Sequence, residues 1–242
     1  MYPIVIISII LIILIIDNYV YTDTNKMVRY QYIQSNKPKI VVISSMHGNE
    51  PAGSHSIKQL NNDFITNKIQ LKQGELIMFP FINKYGGYLN YRYTPSLTNC
   101  VDLNRIWYTH KKSNYPLIEE LKDIINDADL VIDCHEGYDY HISNPRSMGS
   151  CLFNTHKHHT ILCNKIVKKI NNNITNPRKK FLSRGLTDDL LNKPSLRSYC
   201  TKKNIPNILI ETSGQGSIQP LEVRQAQQYL IINECLKYYN ML

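Results

Sequence analysis

Ser44-Ser45-Met46-His47-Gly48-Asn49-Glu50-Pro51-Ala52-Gly53 is the stretch from which the rest of this 242-residue chain can be read. It follows Ile40-Val41-Val42-Ile43, an apolar β-branched run of the kind that forms a buried strand. Pro51 is placed to open a helix, because proline at the first helical position gives up no hydrogen bond that the helix needs. His47 and Glu50 are therefore expected on a strand-to-helix turn, where α/β proteins gather ligand-binding side chains. An imidazole nitrogen and a carboxylate oxygen are good zinc donors, and the His-x-x-Glu spacing lets one turn present both to a single ion. The pair alone is weak, since His-x-x-Glu recurs by chance in loops that bind nothing.

Further apolar runs at Glu75 to Ile82, Leu130 to Cys134 and Ile208 to Thr212 read as buried strands. Ala52 to Asn62, Tyr115 to Asn126 and His158 to Ile170 have helical spacing, and Pro220 to Leu242 reads as a closing helix. Strands alternating with helices predict an α/β sandwich with a largely parallel or mixed sheet. The expected organisation is an apolar N-terminal segment over 1–22, a linker over 23–37 that leads into an edge strand, and one globular domain over 38–242.

Two more strand ends carry chemistry. Val131-Ile132-Asp133-Cys134-His135-Glu136-Gly137 ends a buried strand in a histidine. His135 is the candidate third zinc ligand, and Asp133 a carboxylate that could orient a ligand's imidazole. Two histidines and one glutamate with a fourth position open make a catalytic rather than a structural zinc set. Asn207-Ile208-Leu209-Ile210 leads into Glu211. A carboxylate there could take the proton of a zinc-activated water and deliver it to a leaving amine. The plainer alternative for Glu211 is a capping residue before the Ser213-Gly214 turn. Between these strands, Asn104-Arg105 forms a sensible clamp for a substrate carboxylate, and Arg92 a partner for a developing oxyanion.

The formal charge of +9 is carried by scattered lysines, without an arginine-rich tract or a recognisable nucleic-acid module, so no nucleic-acid partner is expected. With 43% hydrophobic and 19% charged residues the composition is globular. Six widely spaced cysteines include no Cys-x-x-Cys pair, which excludes a zinc ribbon and leaves both disulfides and free buried thiols open. Residues 3–16 are almost wholly Ile, Leu and Val, short of the roughly 20 residues of a spanning helix and without a cleavage signature. They suggest an uncleaved anchor or signal-like segment, hence a membrane-associated or secretory location with the cytoplasmic face left open; the plainer alternative is a buried first strand or helix of the domain. Asn173-Ile174-Thr175 would be a glycosylation sequon only outside the cytoplasm.

Taken together, His47-Gly-Asn-Glu50-Pro-Ala-Gly53, Arg92-Tyr-Thr-Pro95, Asp102-Leu-Asn-Arg105-Ile106, Asp133-Cys-His135 and Ile210-Glu211 resemble the zinc carboxypeptidase superfamily. The nearest resemblance is to its succinylglutamate desuccinylase/aspartoacylase branch, over roughly residues 38–240. It implies a three-layer α/β/α fold around a mixed, mostly parallel sheet, and one Zn2+ per chain on His47, Glu50 and His135. It further implies a catalytic Glu211, with Arg92, Asn104 and Arg105 in substrate binding. The segment between Arg92 and Asp102 is longer than is usual in that branch. Ending at Leu242, the sequence leaves no room for the C-terminal β-rich domain that closes the pocket in aspartoacylase-like enzymes, so a peptide or a larger acyl group is expected to reach the zinc. Carboxypeptidases of the superfamily use a mobile-loop tyrosine, for which Tyr199 is a candidate; the plainer alternative is a surface or core tyrosine.

The expected function is therefore hydrolysis of an amide bond next to a carboxylate, on a small acyl-amino acid or a peptide. An N-acyl amino-acid deacylase leads, with a metallocarboxypeptidase and a membrane-tethered, non-catalytic binding protein as alternatives.

Overall fold

A computed structural model describes residues 27–94, 100–107, 115–185, 192–215 and 218–242. The apolar segment over 1–22, with its expected anchor, lies outside the described residues, and no described helix is long and apolar enough to cross a membrane.

Seven strands form one sheet: β1 (Tyr30–Ile33), β2 (Lys39–Ser44), β3 (Glu75–Phe79), β4 (Leu130–Gly137), β5 (Cys151–Asn154), β6 (Leu182–Arg184) and β7 (Asn207–Ser213). Their order is β1-β3-β2-β4-β7-β5-β6. The central β3-β2-β4-β7 block is parallel, while β1 and β5 run antiparallel to β3 and β7. The helices are α1 (Ala52–Ile65), α2 (Lys84–Tyr88), α3 (Pro116–Ile125), α4 (His159–Asn171), α5 (Leu196–Lys202) and α6 (Leu221–Tyr238).

The central strands are apolar on both faces because both faces are covered. Ile40 and Val42 point into one core with Ile57 and Leu60 of α1, Ile166 of α4 and Ile232 of α6. Val41 and Ile43 point into the other, with Ile118 and Leu121 of α3, Leu196 of α5 and the fully buried Trp107. This is the expected three-layer α/β/α sandwich around a mixed, mostly parallel sheet.

The expected helices appear with small shifts at their ends, and β3 stops at Phe79, ahead of Pro80, rather than running to Ile82. Tyr30–Ile33 pairs with β3, so the sheet reaches back into the 23–37 segment, upstream of the boundary at residue 38. All six cysteines are free, five of them buried, so the thiol alternative holds and the disulfide alternative does not.

Two glycines set the approach of elements around the His47 turn. A Cβ on Gly53 would stand 2.6 Å from Cys134 Cβ, so α1 lies directly on β4. A Cβ on Gly48 would meet the backbone of Gly86, Gly87 and Tyr91 at 2.0–2.4 Å. The loop that carries Arg92 can therefore press against the His47 turn only because residue 48 has no side chain.

Candidate active site

The strand order places the site. β2 leads to β3 on one side, while β4 continues the sheet toward β7 on the other, and the crevice at such a reversal is where open α/β sheets bind ligands. His47 follows β2, and His135 and Glu211 are register partners on β4 and β7. Alternation along β4 and β7 turns Asp133, His135 and Glu211 to the face that Val131 shares with α3 and α5. Apolar residues hold that face at the start of the strands and polar ones at their ends.

His47, Glu50 and His135 are all buried, and one donor atom from each falls within 4.8 Å of the others. His47 Nδ1 stands 2.7 Å from Glu50 Oε1, His135 Nδ1 stands 2.7 Å from Glu50 Oε2, and the two Nδ1 atoms are 3.2 Å apart. Three ligands of one zinc with bonds of about 2.0–2.1 Å would themselves lie roughly 3.3 Å apart, so the donor set fits that ion in type, number and spacing. The outer nitrogens are held as well. His47 Nε2 is 3.2 Å from Asp102 Oδ1, and His135 Nε2 is 3.1 Å from Asp133 Oδ1 and 3.3 Å from Asn104 Nδ2. Metal-bound imidazoles carry partners of this kind, which fix the ring and its tautomer. Asp133 thus stands where the sequence placed it. Asp102, read only as part of a motif, takes the same position behind His47.

Charge and burial pull against each other here. Burial alone would raise the Glu50 carboxyl, but the His47 and His135 imidazoles outweigh it and hold the group below the ordinary carboxylate range. Burial likewise disfavours charge on His135, yet Asp133 and Glu50 raise its pKa well above the usual value. Burial pushes Glu211 up to about 7; the nearby His135 opposes this and Glu50 adds to it.

A cavity of about 200 Å³ opens over this cluster, with Glu211 in its wall. Arg92 reaches from the rim, 3.4 Å from Glu50 Oε1 and 3.1 Å from Asp102 Oδ2. Arg105 also lines the cavity and donates to the Asn104 carbonyl at 2.7 Å. The Asn104 amide is engaged internally. Its Oδ1 accepts from Leu196 N–H at 3.0 Å while its Nδ2 faces His135, so it tethers α5 to the histidine as well as lining the wall.

Three cationic side chains that carried no signal in the sequence also line the cavity: Arg146, Lys193 and Arg197. Arg197 is 7% exposed, and its Nε and Nη1 have no hydrogen-bond partner. Gln215, also unforeseen, donates from Nε2 to Glu50 Oε1 at 2.8 Å. Tyr199 is not at the site. Its hydroxyl donates to Asn126 at 3.0 Å and its ring packs by Trp107 in the core, whereas Tyr138 lines the cavity.

Residues 36–175 match the family described as the succinylglutamate desuccinylase/aspartoacylase catalytic domain. No curated protein matches the chain in sequence. Among solved structures, tripeptide-bound cell shape determinant Csd4 from Helicobacter pylori superposes with a TM-score of 0.71 at 20% identity, covering 90% of this chain and 56% of Csd4. The form of Csd4 bound to mDAP, described as a D,L-carboxypeptidase, gives the same TM-score and identity, covering 88% of this chain and 55% of that one. A candidate metallopeptidase from Shewanella amazonensis SB2B gives 0.63 at 15% identity, covering 88% and 82%. The chain spans a little over half the length of Csd4. At these identities the likeness is one of fold. The family match, on the segment that carries His47, Glu50, Asp102 and His135, goes further: this chain belongs to the succinylglutamate desuccinylase/aspartoacylase catalytic-domain family, and with it to the zinc carboxypeptidase superfamily of hydrolases.

Proposed function

We propose that the chain is a zinc-dependent amide hydrolase acting next to a substrate carboxylate, and specifically an N-acyl amino-acid deacylase. The observation that carries this reading is the meeting of a His-Glu-His donor set, a buried carboxylate and a wall of cationic side chains in one cavity. His47, Glu50 and His135 would hold one zinc, which when bound acidifies a water and polarises a carbonyl.

Glu211 accepts the proton of the attacking water and passes it to the departing amide nitrogen; a C–O bond forms as the C–N bond breaks. A carboxylate whose pKa lies near neutrality suits both halves of that transfer. Arg92, one-third exposed at the rim, is within reach of the oxygen that gains charge. Arg105 holds the carboxylate beside the scissile bond. Arg197 is buried with its Nε and Nη1 lacking hydrogen-bond partners, which is costly without an anion, and this favours a substrate with a second anionic group.

A carboxypeptidase reading is supported by the fold shared with Csd4. One panel separates the two: zinc-loaded protein assayed on N-acyl amino acids and on peptides with free C-termini, alongside Glu211→Gln. Turnover confined to acyl-amino acids, abolished in Glu211→Gln with zinc content kept, is the expected result. Cleavage of peptides alone would replace deacylase by carboxypeptidase, and undiminished turnover in Glu211→Gln would remove that residue from its role.

A further inference from the structure

Glu136 follows a metal-ligand candidate in sequence and belongs to the cavity wall, yet its side chain is fully buried. There it forms an ion pair with Arg224 of α6. Arg224 fits only because residue 214 is glycine: a Cβ there would stand 2.1 Å from Arg224 Cδ. Buried ion pairs are poor sources of stability, and neutral or apolar replacements are often as stable, so the pair calls for another explanation.

Its contacts converge on Glu50. Helix α1 begins directly after the Glu50 turn with Pro51 as N-cap, which has no side-chain acceptor; Glu136 Oε1 takes the Ala52 N–H instead, at 2.7 Å. The Glu136 main-chain N–H donates to Glu50 Oε2 at 3.2 Å. The Glu136 carbonyl accepts from Gln215 Nε2 at 2.5 Å, and the same Nε2 donates to Glu50 Oε1. Both oxygens of the Glu50 carboxylate, and the helix that starts beside it, are thus oriented from one point. That point is itself pinned from α6.

We propose that Glu136 and Arg224 are a positioning pair that aims the Glu50 carboxylate at the metal, a role that rests on the reading of Glu50 as a ligand. It contacts neither substrate nor ion. Affinity for zinc should then depend on the pair even where stability does not.

The test uses the full chain, stripped of metal and titrated with zinc alone against a chromogenic chelator, with thermal melting of the apo form measured in parallel. Arg224→Met and Glu136→Gln should each weaken zinc binding by about 10- to 100-fold, the range seen when groups supporting metal ligands are lost. The double variant Glu136→Gln/Arg224→Met leaves no unpaired buried charge and should melt like the parent, yet bind zinc as weakly as the single variants. Parent-like zinc affinity in the double variant would overturn the proposal, because the pair would then serve stability alone. A parent that binds no zinc would instead remove Glu50 as a ligand, and the pair's role with it.

Discussion

Gly53→Ala pits two local effects of opposite sign against each other. In an exposed helix the change would stabilise by up to about 1 kcal/mol, because alanine restricts the unfolded backbone and favours the helix. In this fold the new methyl would lie 2.3 Å from Ser44 Oγ, 2.6 Å from Cys134 Cβ and 2.9 Å from Gln228 Oε1. The serine can rotate away. Cys134 Cβ is fixed to the middle of β4, and Gln228 is held by bonds from Nε2 to the His135 carbonyl at 3.0 Å and Thr212 Oγ1 at 2.9 Å. Helix α1 must therefore lift by several tenths of an ångström. Overpacking of this kind costs about 1–3 kcal/mol and a lost buried hydrogen bond about 1 more. Set against the gain of up to about 1 kcal/mol, net destabilisation should be roughly 1–3 kcal/mol, or about 2–12 °C in a domain of this size. Urea and thermal unfolding measure it, and because β4 carries His135, zinc affinity should fall with stability. An unchanged or raised midpoint would refute the contact of α1 with β4 on which the site's placement depends.

Two further predictions concern pH. Glu211 can accept a proton only when ionised, so kcat/KM should fall as pH falls through its pKa; a bound cation draws that value below about 7 and toward the ordinary 4.5. A profile flat down to pH 4 would contradict a carboxylate base. His159 is buried against the Tyr239 hydroxyl at 2.8 Å, and burial, with His158 and His156 adding, lowers its pKa to about 4. Between pH 6.5 and 4 the unfolded chain binds a proton that the folded one refuses, so stability is lost as pH falls, by about 1–3 kcal/mol after allowance for solvent screening. His159→Asn should remove that slope; parallel stability curves for variant and parent from pH 7.5 to 4.5 would exclude it.

The parts of the molecule that were legible in the sequence are those whose chemistry is local. β2, β4 and β7 are buried on both faces, so they read as unbroken apolar runs, and on β4 and β7 the polar residues that end those runs, Asp133 and Glu211, line the cavity. β5 and β6 are edge-region strands of four and three residues, Cys151–Asn154 and Leu182–Arg184, too short for any periodicity to declare them. β1 lies in a polar stretch because one partner strand suffices at a sheet edge. His47, Glu50 and His135 sat in motifs that hold donors at fixed spacing. Arg197, Gln215 and Arg224 become visible only after folding, since nothing in Ser195-Leu196-Arg197 or Gly214-Gln215 marks a residue that will reach across the sheet. Tyr199 takes the plainer of its two readings, a core tyrosine, because nearness to Glu211 in sequence is not nearness in space: α5 turns its ring into the core.

Zinc content is the most direct test of the site itself. The full chain would be purified, loaded with zinc, dialysed and analysed by elemental spectrometry beside His47→Ala. About one zinc per folded parent chain, lost in the variant, is the predicted result. A folded parent that retains no zinc, or a His47→Ala variant that holds it as tightly as the parent, would contradict the assignment of His47, Glu50 and His135 as one metal centre.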